Sequence, residues 1–145
     1  MPRDTGTGAD YKSIVQRCLV QISHRENYDL QRSVSLGTKP NGLTNRIDFV
    51  LSNPRKNSSK VIFSCKSQSV SGSAEEKIPY EIIRLLHTMR EDETIRHAYL
   101  VLGGVGWNPT LLNFFIEELV KFIPDMKEHV SILSTDDVMS LRLRI

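Results

Sequence analysis

The sequence predicts an α/β fold with a mixed central β-sheet flanked by helices. Short apolar segments with the two-residue alternation of strands are interleaved with longer segments whose apolar residues recur at helical spacing. Their order is helix, three strands, helix, strand, helix, strand, helix, which is typical of helices packed on a sheet. The 145 residues suit one domain. We expect a flexible lead-in over 1–8 and a single domain over 9–145.

The first half of the chain predicts one helix and three strands. Over 10–24, Ile14, Cys18, Leu19 and Ile22 recur at helical spacing and indicate an amphipathic helix. Alternating apolar residues, separated by turn sequences rich in Pro, Asn, Gly and Ser, then predict strands at 28–36, 46–51 and 60–68. The second and third of these strands are expected to pair antiparallel.

The second half alternates helices with strands. A helix is expected over 74–90, although Pro79 requires either a kink or a short turn before a helix that begins near Pro79. The remaining elements are a strand at 97–102, a helix at 110–123 that Pro124 ends, a strand at 130–133 and a short terminal helix.

Composition narrows the class of protein. No apolar segment approaches the roughly 20 residues of a membrane span, and no apolar run behind Met1 resembles a signal peptide, so no membrane partner and a cytoplasmic location are expected. Cys18 and Cys65 lack metal-ligand spacing and are expected to be free thiols.

Charge is distributed unevenly. Residues 1–66 carry eleven Lys and Arg against five Asp and Glu, a net +6, whereas residues 67–145 carry eight against twelve, a net −4. A basic half can hold a polyanion. Lys39 and Arg46 from this half, together with Lys77 from the second half, are the candidate DNA contacts. Charge alone is more typical of an ordinary solvated surface.

Asp48 and Lys66 place a carboxylate and an ammonium on neighbouring strands. In the strand at 60–68, Ser64, Lys66 and Gln68 share one face, opposite an apolar face. In the strand at 46–51, Arg46 and Asp48 are expected to point away from Ile47, Phe49 and Leu51, which share the other face. Mg²⁺ prefers oxygen ligands, which Asp48 and the backbone carbonyl of Cys65 would supply. Lys66 would stabilise charge on the attacked phosphate or help deprotonate the attacking water.

These residues resemble the core of the PD-(D/E)XK nuclease superfamily, which includes many type II restriction endonucleases. The resemblance covers roughly 8–107 and rests on Asp48, a hairpin, and a strand that ends Ser64-Cys65-Lys66. The stretch from Lys66-Ser67-Gln68 to Gly72-Ser73-Ala74-Glu75-Glu76-Lys77 is similar to a subset with a Lys-x-Gln strand. The resemblance implies a restriction endonuclease-like core and a site role for Gln68.

Ser64 departs from the family pattern, which usually has an acidic residue two positions before the lysine. The catalytic carboxylate either lies on the following helix, as in relatives with Ser-x-Lys strands, or has been removed by an engineered substitution. A natural non-catalytic DNA-binding relative is the third alternative. For a relocated carboxylate, an unbroken helix favours Glu75 as a metal ligand, with Glu81 second.

The resulting hypothesis is an Mg²⁺-dependent DNA endonuclease, with Mn²⁺ as an alternative metal. It would cut double-stranded DNA as a restriction-type enzyme, and two sites in a homodimer would cut both strands. The other candidates are a non-catalytic DNA-binding protein with a degenerate nuclease fold, and a homing or junction-resolving endonuclease. Zinc spacing, a complete phosphate-loop motif and a serine-hydrolase elbow are missing from the sequence.

Overall fold

Five strands form one mixed sheet in the computed structural model, which describes residues 6–67, 73–104, 107–143 and 145. The strands are β1 (Asp29–Thr38), β2 (Thr44–Asn53), β3 (Ser59–Ser67), β4 (Ile95–Gly103) and β5 (Val130–Ser134). They are ordered β1-β2-β3-β4-β5 across the sheet, with the first three antiparallel and the last three parallel. The mixed central sheet predicted from the sequence is therefore confirmed.

Helices cover both faces of this sheet. They are α1 (Gly6–Glu26), α2 (Ile78–Glu91), α3 (Pro109–Glu117) and the short α4 (Thr135–Met139). Buried residues of α1 and α4 pack with Phe49 and Phe63 on one face, and buried residues of α2 and α3 pack with Val50 and Ile62 on the other. Each face thus has its own apolar core, as an α/β sheet buried on both sides requires.

Two helices differ in extent from their prediction. Helix α1 begins at Gly6, inside the predicted lead-in, and residues 1–5 lie outside the described part of the chain. Helix α3 ends at Glu117, and a 3₁₀ turn, Leu119–Lys121, lies in the rest of the predicted helix. A second 3₁₀ turn, Pro124–Met126, begins at the proline that was expected to end that helix. No described helix is both long enough and apolar enough to span a bilayer.

The segment after β3 follows the second of the two alternatives for Pro79. A 3₁₀ turn, Ser73–Lys77, precedes α2, which begins at Ile78 and carries Pro79 in its first turn. Proline is tolerated there because the first backbone N–H groups of a helix have no intrahelical acceptor. An unbroken helix over 74–90 is therefore wrong, and Glu75 does not lie on α2.

Strand β2 loses its regular alternation at Asp48. Ile47 packs in the core under α2, whereas Phe49, two residues on, packs in the core under α1. The β1–β2 ladder skips the pair Ser33 and Asp48, and Ser33 has a φ of +51°. The expectation that Ile47 and Phe49 share one face is wrong, because this local irregularity rotates the strand at the aspartate.

Candidate active site

Asp48 lies where β2 and β3 separate. The pairing of these strands ends at Phe49 and Phe63, and beyond that point Asp48 Oδ2 accepts a hydrogen bond of 2.7 Å from the Cys65 backbone N–H. The carboxylate therefore replaces a main-chain acceptor that a longer ladder would have supplied. Because a residue that faces a neighbouring strand turns both its N–H and its C=O that way, the Cys65 carbonyl faces the same gap.

The other oxygen of Asp48 contacts a lysine from α1. Lys12 Nζ lies 2.9 Å from Asp48 Oδ1, with half of the lysine side chain exposed. The hydrogen bond to Asp48 raises the pKa of Lys12, against the opposing effect of its partial burial. Sequence reasoning missed Lys12, since nothing distinguishes it from the other polar residues on the outer face of α1.

Glu81 is the carboxylate that meets Lys66. It lies in the first turn of α2 with 4% of its surface exposed, and its Oε2 is 3.2 Å from Lys66 Nζ. Burial tends to raise the pKa of Glu81, but the hydrogen bond and charge of Arg84, together with the charge of Lys66, lower it below its ordinary value. Glu81 is therefore a buried carboxylate that stays ionised at neutral pH.

Arg84 holds Glu81 in place. Its Nε lies 2.7 Å from Glu81 Oε1 and its Nη2 lies 3.1 Å from Glu81 Oε2, a bidentate pair one helical turn apart. The same guanidinium donates to Ser64 Oγ at 3.2 Å and to Asn45 Oδ1 at 2.6 Å. Both Arg84 and Ser64 are buried. Arg84 was missed from the sequence; the opposite charges three residues apart, at the edge of the apolar face of α2, are the signal that could have found it.

Glu75 makes a different contact. Its Oε2 accepts a hydrogen bond of 2.7 Å from the backbone N–H of Asn108, just before α3. Glu75 is favoured over Glu81 as a metal ligand only on an unbroken helix. With Glu75 on the 3₁₀ turn, the structure brings Glu81 rather than Glu75 to Lys66. Gln68, to which the resemblance gives a site role, lies outside the described residues.

The three candidate DNA contacts line one pocket next to Lys66 and Glu81. This basic pocket has a volume of about 350 Å³. Besides Lys66 and Glu81, its lining residues are Lys39, Thr44, Arg46, Lys77, Tyr80 and Arg84. The structure therefore brings Lys39 and Lys77 together with Arg46, although they come from a hairpin, a 3₁₀ turn and a strand.

The oxygen atoms at the end of β3 suit a hard divalent cation. Asp48, Glu81 and the Cys65 carbonyl offer two carboxylates and one backbone oxygen, a donor set of the kind that Mg²⁺ uses together with waters. Among the described residues no group of three or more His, Cys, Asp or Glu side chains forms a metal cluster. A cation on Asp48 would also have to displace Lys12 from Oδ1. The Cys65 thiol is a poor ligand for Mg²⁺ because sulfur is a soft donor. Burial, followed by the charge of Asp48, raises the pKa of this thiol to about 12.

These groups lie where two strands of a three-layered α/β/α fold separate. A profile of the PD-(D/E)XK nuclease superfamily domain matches residues 9–144. The chain therefore belongs to the PD-(D/E)XK nuclease superfamily, and the resemblance seen in the sequence is confirmed.

Two solved structures are similar to the chain. One, described as a protein of unknown function, AF1548, has a TM-score of 0.49 and 10% identity over 86% of this chain and 57% of its own. The other, the MspJI restriction endonuclease in complex with a 27-mer oligonucleotide, has a TM-score of 0.39 and 11% identity over 97% of this chain and 32% of its own. The chain thus spans little more than half of the first and about a third of the second. A search of curated proteins gave no match.

Proposed function

We propose that the chain is a DNA endonuclease that hydrolyses phosphodiester bonds with Mg²⁺, or Mn²⁺ in its place. The observation that carries this proposal is the contact of Glu81 with Lys66 beside the contact of Asp48 with the Cys65 N–H. The two contacts are made by consecutive residues of β3, Cys65 and Lys66. Oxygen ligands for a cation and an ammonium for a phosphate are what hydrolysis of a phosphodiester needs.

Each residue of the site has a distinct role in this proposal. Asp48, Glu81 and the Cys65 carbonyl would hold the cation, which supplies charge neutralisation at the phosphate and lowers the pKa of water. The Lys66 ammonium stabilises negative charge that develops on the phosphate oxygens and orients the attacking water. The Cys65 N–H keeps Asp48 in the gap between β2 and β3, and Arg84 fixes Glu81 through two parallel hydrogen bonds.

The surroundings of Ser64 support a carboxylate relocated to the following helix. Ser64 is 1% exposed, and its hydroxyl oxygen accepts a hydrogen bond from the arginine that holds Glu81. Position 64 is thus connected to Glu81 through Arg84. Glu75, the first choice from the sequence, would need to leave Asn108 to take part, so we propose Glu81 as the second acidic ligand.

Restriction-type cleavage of double-stranded DNA by a homodimer is the most specific form of this proposal. One site of this size cuts one strand, so a double-strand break requires two sites, and a two-fold dimer matches a palindromic target. Supercoiled plasmid, a four-way junction and single-stranded DNA as parallel substrates distinguish restriction-type activity from that of a junction-resolving enzyme. We expect plasmid cut to the linear form at a preferred site, and sedimentation should show that the protein is a dimer. Preferential cleavage of the four-way junction would favour the junction-resolving enzyme.

The test of activity compares wild type with two variants on plasmid DNA. We expect wild-type cleavage with Mg²⁺, none with EDTA, and none from Asp48→Asn, because this variant loses the strand carboxylate offered to the metal. Cleavage by Ser64→Glu alone would instead indicate an inactivating serine at position 64. If neither wild type nor Ser64→Glu cuts while both bind DNA, the enzyme hypothesis is wrong.

The second candidate is a DNA-binding protein without activity. It is favoured by the pairing of both carboxylates with cations, Asp48 with Lys12 and Glu81 with Lys66 and Arg84. A site whose acids are neutralised in this way attracts a polyanion without a metal. Calorimetric titration separates the candidates, because an enzyme of the proposed kind binds Mg²⁺ through Asp48. The alternative shows no Mg²⁺ binding that Asp48→Asn removes, and Asp48→Asn does not weaken its binding of DNA.

A further inference from the structure

The basic pocket carries more positive charge than the described residues around it neutralise. Five of its lining residues are Lys or Arg, and Glu81 is its one lining carboxylate. Glu81 is already paired with Lys66 and Arg84. Among the described residues, no salt bridge joins Lys39, Arg46 or Lys77 to an acid. Three cations therefore remain for an external anion.

The chemistry of the pocket indicates a phosphate group. Sites for drug-like molecules are lined mainly by apolar and aromatic side chains. Here the cations are accompanied by the Thr44 hydroxyl and the Tyr80 side chain, which is 44% exposed. Ammonium, guanidinium and hydroxyl groups are the usual donors to phosphate oxygens of DNA.

Neighbouring contacts fix the positions of two of these donors. Arg46 Nη1 donates to the Ser33 carbonyl at 2.9 Å, which holds the guanidinium at the irregular point of β1. The Lys39 backbone N–H donates to Leu43 O at 2.8 Å, and Lys39 O accepts from the Gly42 N–H at 2.8 Å. Both bonds close the β1–β2 hairpin on which Lys39 sits, so the backbone that carries this ammonium is well defined.

We infer that the basic pocket binds one phosphate of the DNA backbone adjacent to the phosphate that is cut. This inference rests on the proposed function. Lys66 and Glu81 belong both to the candidate catalytic site and to the pocket, so a strand whose scissile phosphate lies at Lys66 brings a neighbouring phosphate to Lys39 and Lys77. The pocket would fix the position of the strand along the site and would not read its sequence.

The salt dependence of DNA binding tests this inference. Anisotropy of a labelled duplex in EDTA, between about 50 and 200 mM NaCl, gives the slope of log K against log salt, and each neutralised phosphate contributes about 0.9 to it. The variants are Lys39→Met, Lys77→Met and the double variant. Lys56→Met, an exposed lysine in the turn between β2 and β3, is the matched control.

The two lysines are expected to act on the same phosphate. Each single variant lowers affinity several-fold, and the double variant lowers the slope by about 0.9 in total, which at about 0.1 M salt is a loss of about tenfold. A reduction of about 1.8 in the double variant would assign the lysines to two separate phosphates and overturn the shared pocket. The shared pocket would also be overturned if the double variant bound DNA as tightly as Lys56→Met does.

Two further outcomes separate this inference from the proposed function. If wild type cuts DNA but the Lys39 and Lys77 variants bind DNA like the control, the phosphate contact in the pocket is refuted and the nuclease function is not. If wild type binds no DNA, both the phosphate contact and the nuclease function are refuted. A 5′-mononucleotide at about 1 mM should not displace the duplex, since the one phosphate contact that it could make contributes only about tenfold to binding. Displacement would identify a nucleotide site instead of a DNA backbone contact.

Discussion

Removal of the Glu81 carboxylate should destabilise the fold more than any other change of an acid at the site. Arg84 is 7% exposed and makes two of its contacts to Glu81, at 2.7 and 3.1 Å. Glu81→Ala leaves this guanidinium buried without its counter-charge, a loss of about 3–5 kcal/mol in the free energy of unfolding. Glu81→Gln keeps the volume and one acceptor, so the loss is about 1.5–3 kcal/mol.

Urea unfolding followed by the fluorescence of the single tryptophan, Trp107, measures these losses. Glu75→Ala is the matched control, because Glu75 is less buried and accepts a single backbone hydrogen bond from Asn108. Its loss is expected to be about 1 kcal/mol or less. If Glu81→Ala costs no more than Glu75→Ala, the buried network around Arg84 does not hold Glu81 in place.

The difference between wild type and Glu81→Gln should also depend on pH. The neighbouring cations give Glu81 a lower pKa in the folded protein than in the unfolded chain. Its charge therefore contributes stability above the unfolded value of about 4.3, and this contribution is lost as pH falls through the folded pKa. The advantage of wild type over Glu81→Gln is expected to shrink below about pH 4.3; a constant difference down to the folded pKa would contradict the assignment.

Three further predictions concern other residues. Lys12→Met removes the ammonium 2.9 Å from Asp48 Oδ1; calorimetry should show about fivefold tighter Mg²⁺ binding, equal to about 1 kcal/mol for this half-exposed pair, and weaker binding would contradict its role as a competing cation. Cys65, buried with a pKa of about 12, should resist alkylation at about pH 8 until urea unfolds the chain; rapid reaction in the native protein would show that it is accessible. Gly103→Ala places a methyl group inside the ring of Tyr11, so urea unfolding should show a loss of about 1–3 kcal/mol, and unchanged stability would contradict this close packing.

The helices and strands could be predicted because their apolar residues recur at the regular spacing of each kind of element. Phe63 and its apolar neighbours in β3 have the two-residue period that marks a strand, and Ile78, Ile82 and Leu85 have the spacing of a helix. Asp48 and Lys66 were found by the same reasoning, since a charged residue on an otherwise apolar strand is conspicuous.

The position of the second carboxylate could not be predicted because it depends on where a helix begins. Pro79 is compatible with two starting points for α2, and the directions in which the Glu75 and Glu81 side chains point depend on which of them is used. Tertiary contacts decided between them, including the packing of Ile78 in the core. Lys12 was missed for a related reason, since only the folded arrangement brings the exposed face of α1 to Asp48.

The most direct test of the account is a rescue experiment on plasmid DNA with Mg²⁺. Wild type should cut, and Glu81→Ala should lose at least the 10–100-fold that removal of an indirect metal partner typically costs. Adding Ser64→Glu to Glu81→Ala returns a carboxylate to the site next to Arg84, within the space that Glu81 vacated, and should restore part of the cleavage. If Glu81→Ala cuts as fast as wild type, Glu81 does not replace the missing strand carboxylate. The same claim is contradicted if Glu81→Ala loses cleavage and the added Ser64→Glu restores none of it, although the double variant folds and binds DNA.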